Sequence, residues 1–310
     1  MSVAAPLALL GIAAVWGWTF VLVKEVVADT PPLTFLAARF AVAFVLLAVL
    51  LRRRLRGTGQ RELVAGTMIG AALFVGYLFQ TWGLRHTSAS KSGLITGLYV
   101  VLVPVLAAAF ARRRESAAVW GGVALAAAGL VFLVVGGAGL GHGVNLGDLL
   151  TLACAVGFAA HILLVDDAVR RLDYLKLLVI QIGVVALLSL FGALALERGP
   201  VAVDAQLVLG VAVTGVAATA LALYVMNRFQ TLSTASYTAI LLATEPLFAA
   251  LFGALLLGER LRAAQWAGAA LIVVGVLVPR LGGSGRASAV LRGEDQRHAG
   301  EGDRCPKDGA

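Results

Sequence analysis

Charge is what this sequence has least of. Only 14% of its 310 residues are Asp, Glu, Lys or Arg, against about 25% in soluble domains. Hydrophobic residues make up 60%, and that imbalance excludes an ordinary soluble globular protein. Cysteine is nearly missing. Cys154 lies in an apolar run and Cys305 in a polar tail, so no disulfide framework is expected. No Gly-x-x-x-x-Gly-Lys-Ser/Thr phosphate loop occurs, which argues against direct drive by ATP. His-Glu-x-x-His and Gly-x-Ser-x-Gly are also lacking, and with them the zinc-peptidase and serine-hydrolase readings. No cofactor is implied. The net charge of +8 does not point to nucleic acid, because the arginines sit in short clusters between apolar runs and form no continuous basic face.

What is abundant is uninterrupted apolar sequence. Ten runs are long enough to cross a bilayer: 6–27, 33–51, 63–84, 92–111, 117–135, 147–165, 175–196, 205–226, 236–257 and 263–279. The first is too long for a signal-peptide core and lacks a basic start, so it is read as a membrane helix. Short connectors such as Gly143–Asn145 and Gly199-Pro200 suit antiparallel neighbours in a bundle. The residues after Arg280 have no apolar period, and 281–310 are expected to be a disordered tail. With the N-terminus placed in the cytoplasm, the inside loops receive the clusters Arg52–Arg54, Arg112–Arg114 and Arg170-Arg171. The outside loops keep only Arg85, Lys91, Arg198, Arg260 and Arg262. Positive charge therefore places both termini inside, after an even number of spans in the cytoplasmic membrane.

One span carries a polar break. Within Ser233–Glu259, Glu245 is followed at once by Pro246. A carboxylate at the bilayer midplane costs about 2.5–3.5 kcal/mol on insertion scales. The proline removes a helical hydrogen bond. Both are tolerable only where the helix faces protein or water.

The chain also repeats. Ala117–Val135 matches Ala263–Val278, with Trp120, Gly122 and Gly129 corresponding to Trp266, Gly268 and Gly275. Ala89-Ser90 matches Ala235-Ser236, and Pro104 is paired with Pro246 across a gap of about one turn. Five spans separate the copies, so the halves enter the membrane in opposite directions. Inverted repeats of this kind place the substrate site near the midplane, at the repeat interface. The predicted fold is thus an all-α membrane protein of ten transmembrane helices, arranged as two inverted five-helix repeats over 1–136 and 145–280.

Five strings carry a family resemblance: WGWTFVLVK (16–24), PPLTFLAARF (31–40), GLRHTSASKSGLITGLYVVLVP (83–104), GDLLTLACAVGFAAHILLV (147–165) and TASYTAILLATEPLFAALFGALLLGE (234–259). The chain resembles the EamA-type ten-helix branch of the drug/metabolite transporter superfamily. The resemblance implies a transporter of small organic solutes, amino acids among them, often directed outward. It also implies a central cavity among the third, fourth, eighth and ninth helices, with the first and sixth as mobile elements. The first half departs from the pattern, showing Arg114-Glu115 where the second has Gly258-Glu259.

Candidate site residues follow from polar groups inside the spans. Glu245 can bind a cationic group of the solute or take up a proton; an interhelical hydrogen bond is the structural alternative. Tyr237, Thr238 and Leu241 share its helical face. In the fourth span Lys91, Ser92, Thr96 and Tyr99 form a similar stripe. There the hydroxyls of Ser92 and Thr96 suit helix packing. Lys91 can snorkel to the interface or gate the path, and Tyr99 reaches midspan. His161 is a proton relay or solute contact, or else a neutral histidine tied to a neighbour. Tyr77 with Gln80, and Tyr224 with Asn227, are candidate cavity walls. Trp16 lines the cavity or packs. Arg39 is read as a structural ion pair or carbonyl contact. Asp166-Asp167 is taken as a solvated helix end, so no metal site is expected. The expected partners are a small-molecule solute, the lipid bilayer and protons. The chain is expected to carry no enzymatic activity; an intramembrane enzyme and a receptor or scaffold are the alternatives.

Overall fold

The computed structural model describes residues 4–110, 115–136, 145–198, 201–257 and 262–279. The expected tail 281–310, Arg112–Arg114 and Gly258-Glu259 lie outside the described residues.

Lipid offers no hydrogen-bond partners, so each span must satisfy its own backbone, and these segments do so as helices. In chain order they are α1 (Ala4–Asp29), α2 (Pro32–Leu50) and α3 (Gln60–His86). Next come α4, in two pieces (Ala89–Thr96 and Tyr99–Phe110), and α5 (Ala117–Gly136). The second half has α6 (Leu146–Ala168) and α7 (Tyr174–Leu196). Helix α8 runs Ala205–Gly215, widens into a π-helical turn at Val216–Leu221, and continues as Ala222–Gln230. Helix α9 is again in two pieces, Ala235–Leu242 and Glu245–Leu257, and α10 is Ala263–Pro279. Among the described residues, eight spans have the length and hydropathy to cross a membrane, and Ala117–Phe132 and Ala263–Pro279 are shorter apolar helices. Large apolar side chains such as Val49 on α2 and Phe191 and Leu194 on α7 point outward, as lipid requires.

Helix starts are set by short polar side chains. Asn145 accepts from Asp148 N, Asp173 from Leu175 N and Asp204 from Leu207 N. Each side chain thereby takes up a backbone donor that a helix leaves orphaned. Helix α2 begins on Pro31-Pro32 and is capped from a distance. The carboxylate of Glu197, at the end of α7, accepts from Leu33 N at 2.8 Å and Thr34 N at 2.7 Å. A negative charge there also complements the helix dipole.

The two halves are related by a two-fold axis across the helices. A Cβ on Gly122 would meet the carbonyl oxygen of Gly275 at 2.7 Å, and one on Gly129 that of Gly268 at 2.6 Å. Rising numbers on α5 therefore face falling numbers on α10, so the equivalent helices run antiparallel with each matched glycine facing the other's counterpart. Such close backbone approach is what small residues permit in membrane packing. The same relation holds for α4 and α9. The first piece of each packs against the second piece of the other, so the two helices cross at their breaks.

Candidate functional site

Where α4 and α9 cross, both helices stop and restart. In α9, Thr244 turns back on Leu241 O through its amide at 3.3 Å and its hydroxyl at 2.7 Å. The next piece then begins with Phe248 N donating to Thr244 O at 3.0 Å. Glu245 and Pro246 thus occupy the first turn of a new half-helix. A proline loses nothing there, and a carboxylate meets the favourable end of the dipole. In α4 the turn falls at Gly97-Leu98, and Tyr99 opens the second piece. The Tyr99 hydroxyl donates to Glu245 Oε2 at 3.3 Å. The two residues lie 146 positions apart in the chain. That is also the spacing of Ser88 from Thr234, which cap the first pieces of α4 and α9, and of Trp120 from Trp266. Tyr99 and Glu245 are therefore equivalent positions of the two repeats, meeting on the axis between them. Pro104 stands one turn further along α4, inside the helix, and has no part in the break.

A cavity opens beside this contact. Helices α1, α2, α3 and α4 of the first half line it together with α6, α8 and α9 of the second. The centre of a water-sized sphere can sit within about 60 Å³ of it, room for several waters at roughly 10–15 Å³ each. Trp16, Tyr77, Gln80, Tyr99, His161 and Glu245 are all on its wall, and Arg39 joins them. Most of the remaining wall is apolar, including Phe20, Leu73, Phe158 and Met226. That composition fits a ligand pocket, with few polar groups on an apolar lining.

Several polar wall residues are fixed by a neighbour. The His161 ring Nε2 lies 2.7 Å from Gln181 Oε1 of α7. The Trp16 indole donates to Ala218 O at 2.8 Å. Arg39 donates through Nε to Thr219 Oγ1 at 2.7 Å and through Nη2 to the Tyr77 hydroxyl at 3.4 Å. Its guanidinium carbon also stands 4.6 Å from the centre of the Tyr77 ring. Glu245 is 6% exposed, and Tyr99 is its hydrogen-bond partner. Gly17 brings α1 against this corner: a Cβ there would lie 2.7 Å from Glu245 O.

The other expected residues lie elsewhere. Thr96 is buried beneath the wall, with Oγ1 3.8 Å from Cys154 Sγ. Lys91 is at the start of α4 in an ion pair with Asp148, Nζ to Oδ2 2.5 Å. Tyr237 is half-buried against Phe229, ring centres 6.2 Å apart, and Tyr224 lies on the exterior at 38% exposure, tilted against Tyr174. Asn227 is fully buried and is not on the cavity wall. Asp166 is buried and bonded to Arg170 at 2.8 Å, whereas Asp167 is exposed. Among the described residues, no group of three or more His, Cys, Asp and Glu is arranged to hold a metal. Arg39 and Thr19 are polar wall residues that were not expected; for Arg39, its position inside an apolar span is the signal that points to it.

Two antiparallel five-helix units, discontinuous helices crossing at the interface and a cavity at the crossing make up an inverted-repeat membrane fold. Residues 4–135 and 145–279 each match the EamA-like transporter family. An uncharacterized transporter of Archaeoglobus fulgidus is 32% identical over 284 residues, covering 89% of this chain and 86% of its own length. The chain belongs to the EamA family of transporters. A crystal structure of a protein superposes with a TM-score of 0.75 over 91% of this chain and 98% of its own, at 21% identity, and shares the fold.

Proposed function

We propose that this transporter is a secondary carrier. It moves a small organic metabolite such as an amino acid out across the cytoplasmic membrane by alternating access, with both termini in the cytoplasm. The observation that supports this most is the Tyr99–Glu245 contact on the cavity wall. An acidic side chain at the crossing of two broken helices belongs to both repeats at once. A change in what it holds is felt by both halves, which is what alternating access needs. In this reading Glu245 binds the cationic group of the solute or a coupling proton, and His161 stands on the same wall to exchange with it. Gly17 and the paired glycines of α5 and α10 allow backbones to rock against one another without side-chain barriers.

The test starts from a thermal-shift screen of amino acids, sugars, nucleosides and cationic drugs, since ligands that bind the folded state raise its melting point. Flux of the hits is then measured in proteoliposomes for wild type and Glu245→Gln. The variant is expected to insert normally and to lose transport. Wild-type flux with unchanged pH dependence in Glu245→Gln would remove the residue from the mechanism.

A further inference from the structure

We propose that Arg39 is an anion-binding residue of the cavity, held ready by the π-helical turn of α8, so that the solute carries a carboxylate or similar anionic group. This rests on the transport reading above and specifies one end of the solute. Four observations bear on it. Arg39 is 3% exposed and sits on the cavity wall. Its partners are all neutral: Thr219 Oγ1, the Tyr77 hydroxyl and Ala218 O. No carboxylate lies within ion-pair distance of it among the described residues. Its third nitrogen, Nη1, donates to none of the described residues.

A buried cation inside a membrane bundle is retained where it pairs with something or faces water. Tying α2 to α8 does not call for a charge. Trp16 already reaches the same Ala218 oxygen with a neutral donor. A guanidinium, by contrast, presents several fixed donors that fit a carboxylate or phosphate edge. The local backbone is shaped around this side chain. In the π-helical turn Ala222 N donates to Ala217 O and Thr219 O. Ala218 O, between those two acceptors, receives Trp16 and Arg39. Gly215, one residue before that turn, lets α8 approach α2 at this level, since a Cβ there would lie 2.9 Å from Arg39 O. Widened turns of this type recur at functional sites. Glu245 and His161 are the other titratable groups with opposite or variable charge on the wall, and neither pairs with Arg39. The cavity thus offers a positive group and an acidic group at separate places, and a solute bearing both an anionic and a cationic group would match it.

The experiment compares each carboxylate with its own primary amide, which keeps size and loses the charge. Purified full-length protein is titrated with leucine and leucinamide, phenylalanine and phenylalaninamide, and 4-methylpentanoate and 4-methylpentanamide, reading thermal shift and calorimetric affinity. Wild type is expected to prefer the carboxylate of at least one pair by about tenfold or more. Arg39→Lys should keep part of that preference and Arg39→Gln should abolish it, with helix content unchanged. A purely structural Arg39 would change stability without changing the ratio between acid and amide. Equal binding of acids and amides by wild type, failure of every carboxylate to bind, or an undiminished preference in Arg39→Gln would each overturn the proposal. Flux of an uncharged or purely cationic solute would leave the transporter reading standing while removing the anion site.

Discussion

Helices α4 and α9 occupy equivalent places in the two halves, and they keep their backbone events while changing the side chains those events present. Both first pieces are capped by a hydroxyl: Ser88 Oγ accepts from Lys91 N at 3.2 Å and Thr234 Oγ1 from Tyr237 N at 3.3 Å. Both break and restart one residue before the axis. There one half places Tyr99 and the other Glu245. At the ends they diverge as well, with Lys91 in an ion pair with Asp148 and Tyr237 against Phe229. The fold therefore asks for a hydroxyl cap and an interrupted helix, and it does not ask for a carboxyl on the axis. A tyrosine fills the same position in the other half, so Glu245 is a feature added to the architecture.

The largest effect should come from making the two halves alike at the axis. Glu245→Tyr places tyrosine on both sides, where one already fits. Insertion and helix content should survive, but flux should fall by about a hundredfold or more, the consequence of losing roughly 3 kcal/mol of a step's driving interaction. The exchange Tyr99→Glu with Glu245→Tyr restores one acid and one phenol across the axis, and should recover flux to within about tenfold of wild type. If the exchanged protein stays as inactive as Glu245→Tyr alone, the acid is needed on α9 itself, and the equivalence of the two positions is architectural only. Proteoliposome flux with a matched insertion control decides this.

Stability gives the next largest effect, at the other symmetric contact. Gly122 touches the Gly275 carbonyl, whereas its neighbour Gly121 would place a Cβ 3.7 Å from Val278 Cγ1, an ordinary contact. Gly122→Ala must push two backbones apart and should cost about 1–3 kcal/mol. Gly121→Ala should change stability by less than about 0.5 kcal/mol. Denaturant unfolding in detergent checks both. Equal losses would mean that α5 and α10 are not in backbone contact.

Much of this was legible in the sequence because lipid imposes simple rules. Runs of about twenty apolar residues mark spans, and the run expected at 33–51 is the helix Pro32–Leu50. Helix α8 was expected to end at 226 and continues to Gln230, since Asn227, Arg228 and Gln230 add polarity without stopping a helix. The glycines of α5 and α10 correspond in the sequence because Trp120 and Trp266 mark the register. The broken helices were harder. Lys91, Ser92, Thr96 and Tyr99 form one stripe only if α4 is continuous; the turn at Gly97-Leu98 shifts the phase, and Tyr99 reaches the cavity without Thr96. No proline stands at that turn to announce it. The π-helical turn in α8 is equally silent, because Val216–Leu221 reads as ordinary apolar helix. For Arg39 the sequence predicts a packing role, and the carbonyl contact expected of it is present at Ala218. Its place on the cavity wall needed the three-dimensional arrangement of α1, α3 and α8.

The smallest effect expected is at the entry of α4, where the halves differ most in chemistry. Asp148 accepts from Lys91 Nζ at 2.5 Å and from Thr87 Oγ1 at 2.8 Å. It also closes the capping box of α6 by accepting from Asn145 N at 3.0 Å. Lys24 on α1 reaches the same corner through Leu84 O at 3.3 Å and Thr87 O at 2.5 Å. Four helices are thus joined there by charge and hydroxyl bonds. The start of α9 is held differently, by Ser236 donating to Glu115 Oε1 at 2.6 Å and by the Phe229–Tyr237 ring contact. Asp148→Asn keeps an acceptor but loses the charge, and with Lys91 partly exposed at 22% the cost should be about 1 kcal/mol. Opening of the α4 entry should then become roughly fivefold more frequent, read as faster amide exchange over residues 88–96. Residues 234–242 should exchange as in wild type, because their ties contain no part of this ion pair. Adding salt to wild type should reproduce the same one-sided change more weakly, since screening acts on the charged corner and not on the ring contact. Equal acceleration in both segments would mean that α4 and α9 open as one unit, and that the chemical difference between their ends has no mechanical consequence.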